Sequence, residues 1–114
     1  MTERMRRSSL LLAVVLMMGL AGCQTQPTGE AERIGHMVQA VDAAIDHPAD
    51  PESLETIVRY GTDSRYYIMI RGWLSQELDG VESQYEASRN PTLRQQLQVR
   101  ADFLRQAIRR IDLE

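Results

Sequence analysis

The sequence predicts an all-α fold: a small up-down bundle of three to four helices with a long antiparallel C-terminal hairpin. Three observations predict it. From residue 30 onward the apolar residues recur three and four positions apart, the spacing that lines one face of an α-helix. Pro48, Pro51, Gly61 and Pro91 punctuate this pattern into four segments, as helix starts and stops do. Only Tyr66-Tyr67-Ile68-Met69-Ile70 has strand-like residues, and a strand needs a partner that residues 24–114 do not offer.

The first segment runs from about Glu30 to Asp46. Ile34, Met37, Val38, Val41, Ala44 and Ile45 form its stripe, Glu30 and Glu32 favour its N-terminal end through the helix dipole, and Pro48 stops it. The second runs from Pro51 to about Tyr60. Asp50 is an N-cap and Pro51 fits the first helical position; Leu54, Ile57 and Val58 make its apolar face, and Gly61 suits the position just past its end. The third runs from about Asp63 to Ser88, with Thr62 or Asp63 as cap. Its stripe is Tyr67, Ile70, Leu74, Leu78, Val81 and Tyr85. Tyr66, Ile68, Met69 and Trp73 fall outside the stripe, so the first half is expected to be buried on several sides. Interior Gly72 and Gly80 each cost about 1 kcal/mol against Ala; they allow close helix packing, or Gly72 marks a kink. The fourth runs from Pro91 to about Leu113, capped by Asn90, with Leu93, Leu97, Ala101, Leu104, Ile108 and Ile111 as its stripe. Val99 and Phe103 lie off that stripe. The third and fourth segments are joined so closely that they should form a helical hairpin.

The chain has 114 residues, 13 basic and 16 acidic, for a net charge of −3, and every basic residue is Arg. One domain fits this length. Without Lys there is no Schiff-base chemistry, and a negative balance argues against nucleic acid as a partner. The charge is uneven. Residues 23–88 hold 4 Arg and 12 acids, whereas residues 89–114 hold 6 Arg and 3 acids. A basic last helix beside an acidic remainder favours antiparallel docking. Arg94, Arg105 and Arg109 share an outer face, suited either to lipid head groups or an acidic partner, or to scattered salt bridges of little energy.

The N-terminus is built differently. Arg4, Arg6 and Arg7 precede an apolar run of eleven residues, Leu10–Leu20, the length of a secretory h-region and too short to span a bilayer. The run closes on Leu20-Ala21-Gly22-Cys23, and Cys23 is the chain's single Cys. Either Met1 or Met5 fits as the start, and a start at Met5 keeps Arg6-Arg7 and the same apolar run. The Arg pair invites a twin-arginine route, but Ser9 stands where that route prefers an apolar residue, which favours general secretion.

This segment resembles the lipobox signal of bacterial lipoproteins over residues 1–23. The resemblance implies a signal helix cleaved between Gly22 and Cys23, a thioether-linked diacylglycerol on Cys23 and acylation of the new amine, palmitate being a typical chain. Two or more acyl chains hold a membrane stably where one does not. Gln24 stands where Asp commonly marks inner-membrane retention, so the resemblance implies the inner leaflet of a Gram-negative outer membrane, facing the periplasm. The expected organisation is then signal peptide 1–22, lipidated Cys23 with a short tether to residue 29, and a helical domain over 30–114. Six tether residues reach about 20 Å fully extended. The covalent lipid is the only group implied, and no cofactor is.

Chemistry is scarce in the remainder. His36 and His47 are eleven positions apart on one helix, about 16 Å along its axis, too far to share a metal. Glu32 and His36 form an i, i+4 pair, a weak metal signal. No Gly-x-Ser-x-Gly elbow or Gly-rich phosphate loop occurs. Glu77, Asp79, Glu82 and Glu86 fit a solvated helix face. No catalytic or metal residue is assigned. Tyr60, Tyr66, Tyr67 and Trp73 cluster within fourteen residues, as large core members or as a binding hot spot. Tyr66 and Trp73, flanked by Arg65 and Arg71, are the candidates for a partner surface. The sequence thus suggests a non-catalytic interaction or structural module for an envelope protein partner. A small ligand-binding or stress-related envelope factor is the alternative, and a small hydrolase stands behind both.

Overall fold

Two prolines and two short polar side chains set the helix starts. The computed structural model describes residues 29–114, which form four helices and no strand. They are α1 (Gly29–Asp46), α2 (Pro51–Gly61), α3 (Tyr67–Ala87) and α4 (Pro91–Leu113). Asp50 accepts the Glu52 amide at 2.9 Å. Asn90 accepts the amides of Thr92 and Leu93 at 3.0 and 3.2 Å. Each side chain satisfies amides that a helix start leaves unpaired, and each is followed by Pro at the first position. At the end of α1, the His47 ring Nδ1 lies 2.7 Å from the Ala43 carbonyl. Pro48, which cannot donate an amide, follows.

Cross-helix pairs fix the hairpin. Arg71 bonds Asp112, Glu77 receives Arg100 and Glu82 receives Arg105. Near the turn, the Arg94 guanidinium lies 3.9 Å from the centre of the Tyr85 ring. From Arg71 against Asp112 at one end of the hairpin to Tyr85 against Arg94 at the other, the start of α3 meets the end of α4 and its end meets the start, so the two helices run antiparallel. Arg94 also donates to the carbonyls of Tyr85 and Ser88 at 2.7 and 3.0 Å, and so caps the open end of α3. It is therefore half-buried and committed to the turn, not part of an outer basic face.

The core collects residues from all four helices. Met37, Val41 and Ile45 of α1, Ile57 of α2, Ile70 and Leu74 of α3, and Leu104 of α4 are among the most deeply buried. α2 packs against both arms. Gly61 meets Ile111 and Glu55 bonds Arg110, so α2 closes the end of the hairpin where Tyr67 and Asp112 meet.

Four details differ from the sequence reading. First, α3 starts at Tyr67, not Asp63. The Asp63 carboxylate accepts the Arg65 amide and guanidinium at 2.8–3.1 Å, and Thr62 Oγ1 donates back to the Val58 carbonyl at 2.7 Å. Such local side-chain bonds compete with helix formation and hold 62–66 as a turn. Second, the first half of α3 is not covered all round. Ile68 is 82% exposed and Met69 44%, because α2 covers only one flank. Third, Gly72 and Gly80 do not bring helices together, since no atom of another element lies within 4 Å of where their Cβ would be. Fourth, Gly61 is the last residue of α2 and has no positive φ. Its role is close packing: an added Cβ would stand 2.6 Å from Ile111 Cγ2. Of the two off-stripe residues of α4, Phe103 is buried and Val99 exposed.

Candidate functional site

The candidate surface lies where the 62–66 turn feeds α3. Tyr66 is not on that surface. It is buried, its ring lies 5.2 Å from the Arg65 guanidinium, and its carbonyl accepts the Ile70 amide at 2.9 Å. Being off the main stripe did not expose it, because the turn re-aims residue 66 into the core. Trp73 is half-buried and packs against the core. Arg65 and Arg71 are exposed, but each is tied, Arg65 to Asp63 at 2.8 Å and Arg71 to Asp112 at 2.9 Å. Tyr66 therefore offers no accessible surface, whereas Arg65, Arg71 and half-buried Trp73 keep theirs. Gly22 and Cys23 lie outside the described residues.

The best-organised polar cluster is one that periodicity did not single out. Asp112, near the end of α4, accepts Tyr67 Oη at 2.8 Å and both Nε and Nη2 of Arg71. The two Arg71 bonds and then the Tyr67 hydroxyl hold the Asp112 carboxyl below its usual range. The same carboxylate raises the Tyr67 phenol. Asp63, bonded first by the Arg65 side chain and then by its amide, sits at about 2. The signs are definite. A carboxyl with a lowered folded pKa stabilises the fold above its unfolded value, near pH 4, and the gain disappears as pH falls through the folded value. Tyr67, raised when folded, contributes below about pH 10 and loses that contribution as pH rises through its folded pKa. The melting temperature, followed by circular dichroism, is expected to fall between about pH 4 and pH 2. Asp112→Asn should lower it at pH 7 and flatten that acid limb; an unchanged limb would remove Asp112 from the account.

A second cluster ties three helices. Arg100 Nη2 reaches Asp46 of α1 and Glu77 of α3, each at 3.5 Å, while its Nε is buried without an acceptor among the described residues. Beside it, Gln76, Gly80 and Gln84 line a groove of about 270 Å³. Another groove, of about 190 Å³, lies between α1 and α2 along Ala40, Ala43, His47 and Ser53. Neither arranges a nucleophile, base and acid in a line. The His47 ring is bonded to a backbone carbonyl and the Asp50 carboxylate serves as a helix cap. Glu32 and His36 stand 3.9 Å apart on an exposed face, and among the described residues no three His, Cys, Asp or Glu converge as metal ligands. No described helix is long and apolar enough to cross a membrane.

The fold and its clusters define a small helical bundle. No family model, curated protein or solved structure matches the chain.

Proposed function

We propose that the chain is a lipid-anchored envelope protein whose helical unit is a non-catalytic interaction or structural module facing the periplasm. The observation that carries this reading is Leu20-Ala21-Gly22-Cys23 behind a basic start and an eleven-residue apolar run. On this reading the six residues 24–29, which reach about 20 Å at most when fully extended, would tether the helical unit near the membrane. Gln24 supports outer-membrane sorting, with the bundle close to the inner leaflet. The interaction role rests on a hairpin pinned at Asp112, Glu77 and Glu82, which presents a firm helical surface. The ligand-binding alternative has less support, because the two grooves described above, of about 270 and 190 Å³, fall below the roughly 300 Å³ at which small-molecule sites begin.

Cys23→Ser tests the anchor. The wild-type chain is expected to incorporate labelled fatty acid, appear at its processed size and fractionate with membranes. The variant should lose the label and accumulate as uncut precursor. A processed, labelled Cys23→Ser product would sink the reading.

A further inference from the structure

Ser53 is the only buried polar residue among the described residues, 5% exposed, and its hydroxyl has no hydrogen-bond partner among them. Thr56, one turn on along the same face of α2, leaves its hydroxyl equally unpaired. Elsewhere the hydroxyls of Thr62, Ser75 and Ser83 each donate to the carbonyl four residues back, at 2.7–2.9 Å. Ser53 and Thr56 instead line the groove of about 190 Å³ between α1 and α2. Buried polar groups are as a rule paired, and the bonds of the fold make no use of these two.

We propose that this groove binds a small primary amine in its ammonium form. Ala40, Ala43 and Ala44 of α1 make the facing wall, and their short side chains leave room for an alkyl chain. The polar lining consists of acceptors and hydroxyls. Asp50 caps α2 through Oδ1 and keeps Oδ2, Glu52 is exposed, and neither carboxylate enters an ion pair among the described residues. His47 Nδ1 lies 2.7 Å from the Ala43 carbonyl. A carbonyl only accepts, so Nδ1 carries the hydrogen and Nε2 is left as the acceptor of the neutral ring. No Arg lines the groove. A bare helix start favours an anion, but the Asp50 cap and Glu52 already answer the start of α2, and their charges repel a further anion. An ammonium group has three donors and no acceptor, which matches hydroxyls, carboxylates and imidazole together. The volume lies below the roughly 300 Å³ at which sites for larger ligands begin, so the groove admits only a compact amine, held with millimolar affinity. The inference goes beyond the anchored-module reading and stands on the fold alone.

Amide NMR on the full chain in detergent tests it, with n-butylamine as probe at about pH 7, where it is charged, and n-butanol as its neutral counterpart. Butylammonium is expected to shift the Ala43, Ser53 and Thr56 amides saturably, and butanol to bind about tenfold more weakly. Equal affinity for the two probes, shifts spread evenly over the surface, or no saturable shift overturns the proposal. Ser53→Ala removes a hydroxyl that no bond of the fold uses, so the melting temperature should hold or rise while the affinity for butylammonium falls by about fivefold. Glu52→Gln leaves its amide on the Asp50 cap and should weaken butylammonium by about threefold with butanol unchanged. Undiminished affinity in either variant overturns the proposal. If Ser53→Ala impairs folding, Ala43→Leu, at an exposed position of α1, replaces it: the larger side chain fills the groove and should remove saturable binding.

Discussion

Leu104→Ala is expected to lower the stability of the fold by about 3 kcal/mol, within the 2–5 kcal/mol measured for such truncations. Leu104 is fully buried in the middle of α4. Truncation loses the transfer free energy of the removed methyl groups and leaves a cavity that the bundle closes only in part. Domains of this size have about 5–15 kcal/mol in all, and each kcal/mol moves the midpoint of a small domain by about 4–8 °C. The melting temperature should therefore drop by more than about 10 °C. Leu113, nine positions further on the same helix and 84% exposed, supplies the control. Leu113→Ala should stay within about 0.5 kcal/mol. Urea unfolding followed at a helical circular-dichroism band checks both. Equal losses would mean that α4 does not bury the face assigned to it.

Much of this architecture is legible in the sequence because its signals are local. The Asn90–Pro91 and Asp50–Pro51 pairs mark helix starts without reference to the rest of the chain, and both side chains cap as expected. Leu97, Ala101, Leu104 and Ile111 appear on one face by spacing alone, and all four are buried. What was not legible depends on how distant segments meet. Asp112 reads as one more charge near a C-terminus until the hairpin register sets it against Tyr67 and Arg71. Arg94 and Arg109 share a face of an ideal helix, yet Arg94 reaches across the turn to the carbonyls at the end of α3. Tyr66 looks peripheral on a helix that starts at Asp63. Once the Asp63–Arg65 bonds hold a turn there, the phase of the helix no longer applies and the ring enters the core. Being off one helical stripe is thus not the same as being exposed.

The glycines separate local propensity from tertiary packing most sharply, and their substitutions should have opposite signs. Gly61→Ala is expected to destabilise by about 1–3 kcal/mol, the cost of overpacking, although Ala is the better helix former. The new methyl would fall 2.6 Å from Ile111 Cγ2 and 3.3 Å from its Cβ. The β-branched Ile111 side chain has little rotamer freedom on a helix, so it cannot swing clear, and α2 or α4 must shift. Gly72→Ala meets nothing and should gain up to about 1 kcal/mol. A double-mutant cycle isolates the cause. Ile111→Ala alone removes a buried side chain and costs about 2–5 kcal/mol. It also removes Cγ2 and leaves only the Cβ at 3.3 Å, so adding Gly61→Ala to it should cost much less than in the wild-type chain. The coupling between the two sites should then reach about 1 kcal/mol or more, the range seen for side chains in contact. Additive losses in the cycle would place the effect of Gly61 in the backbone at the end of α2, not in the approach of α2 to α4.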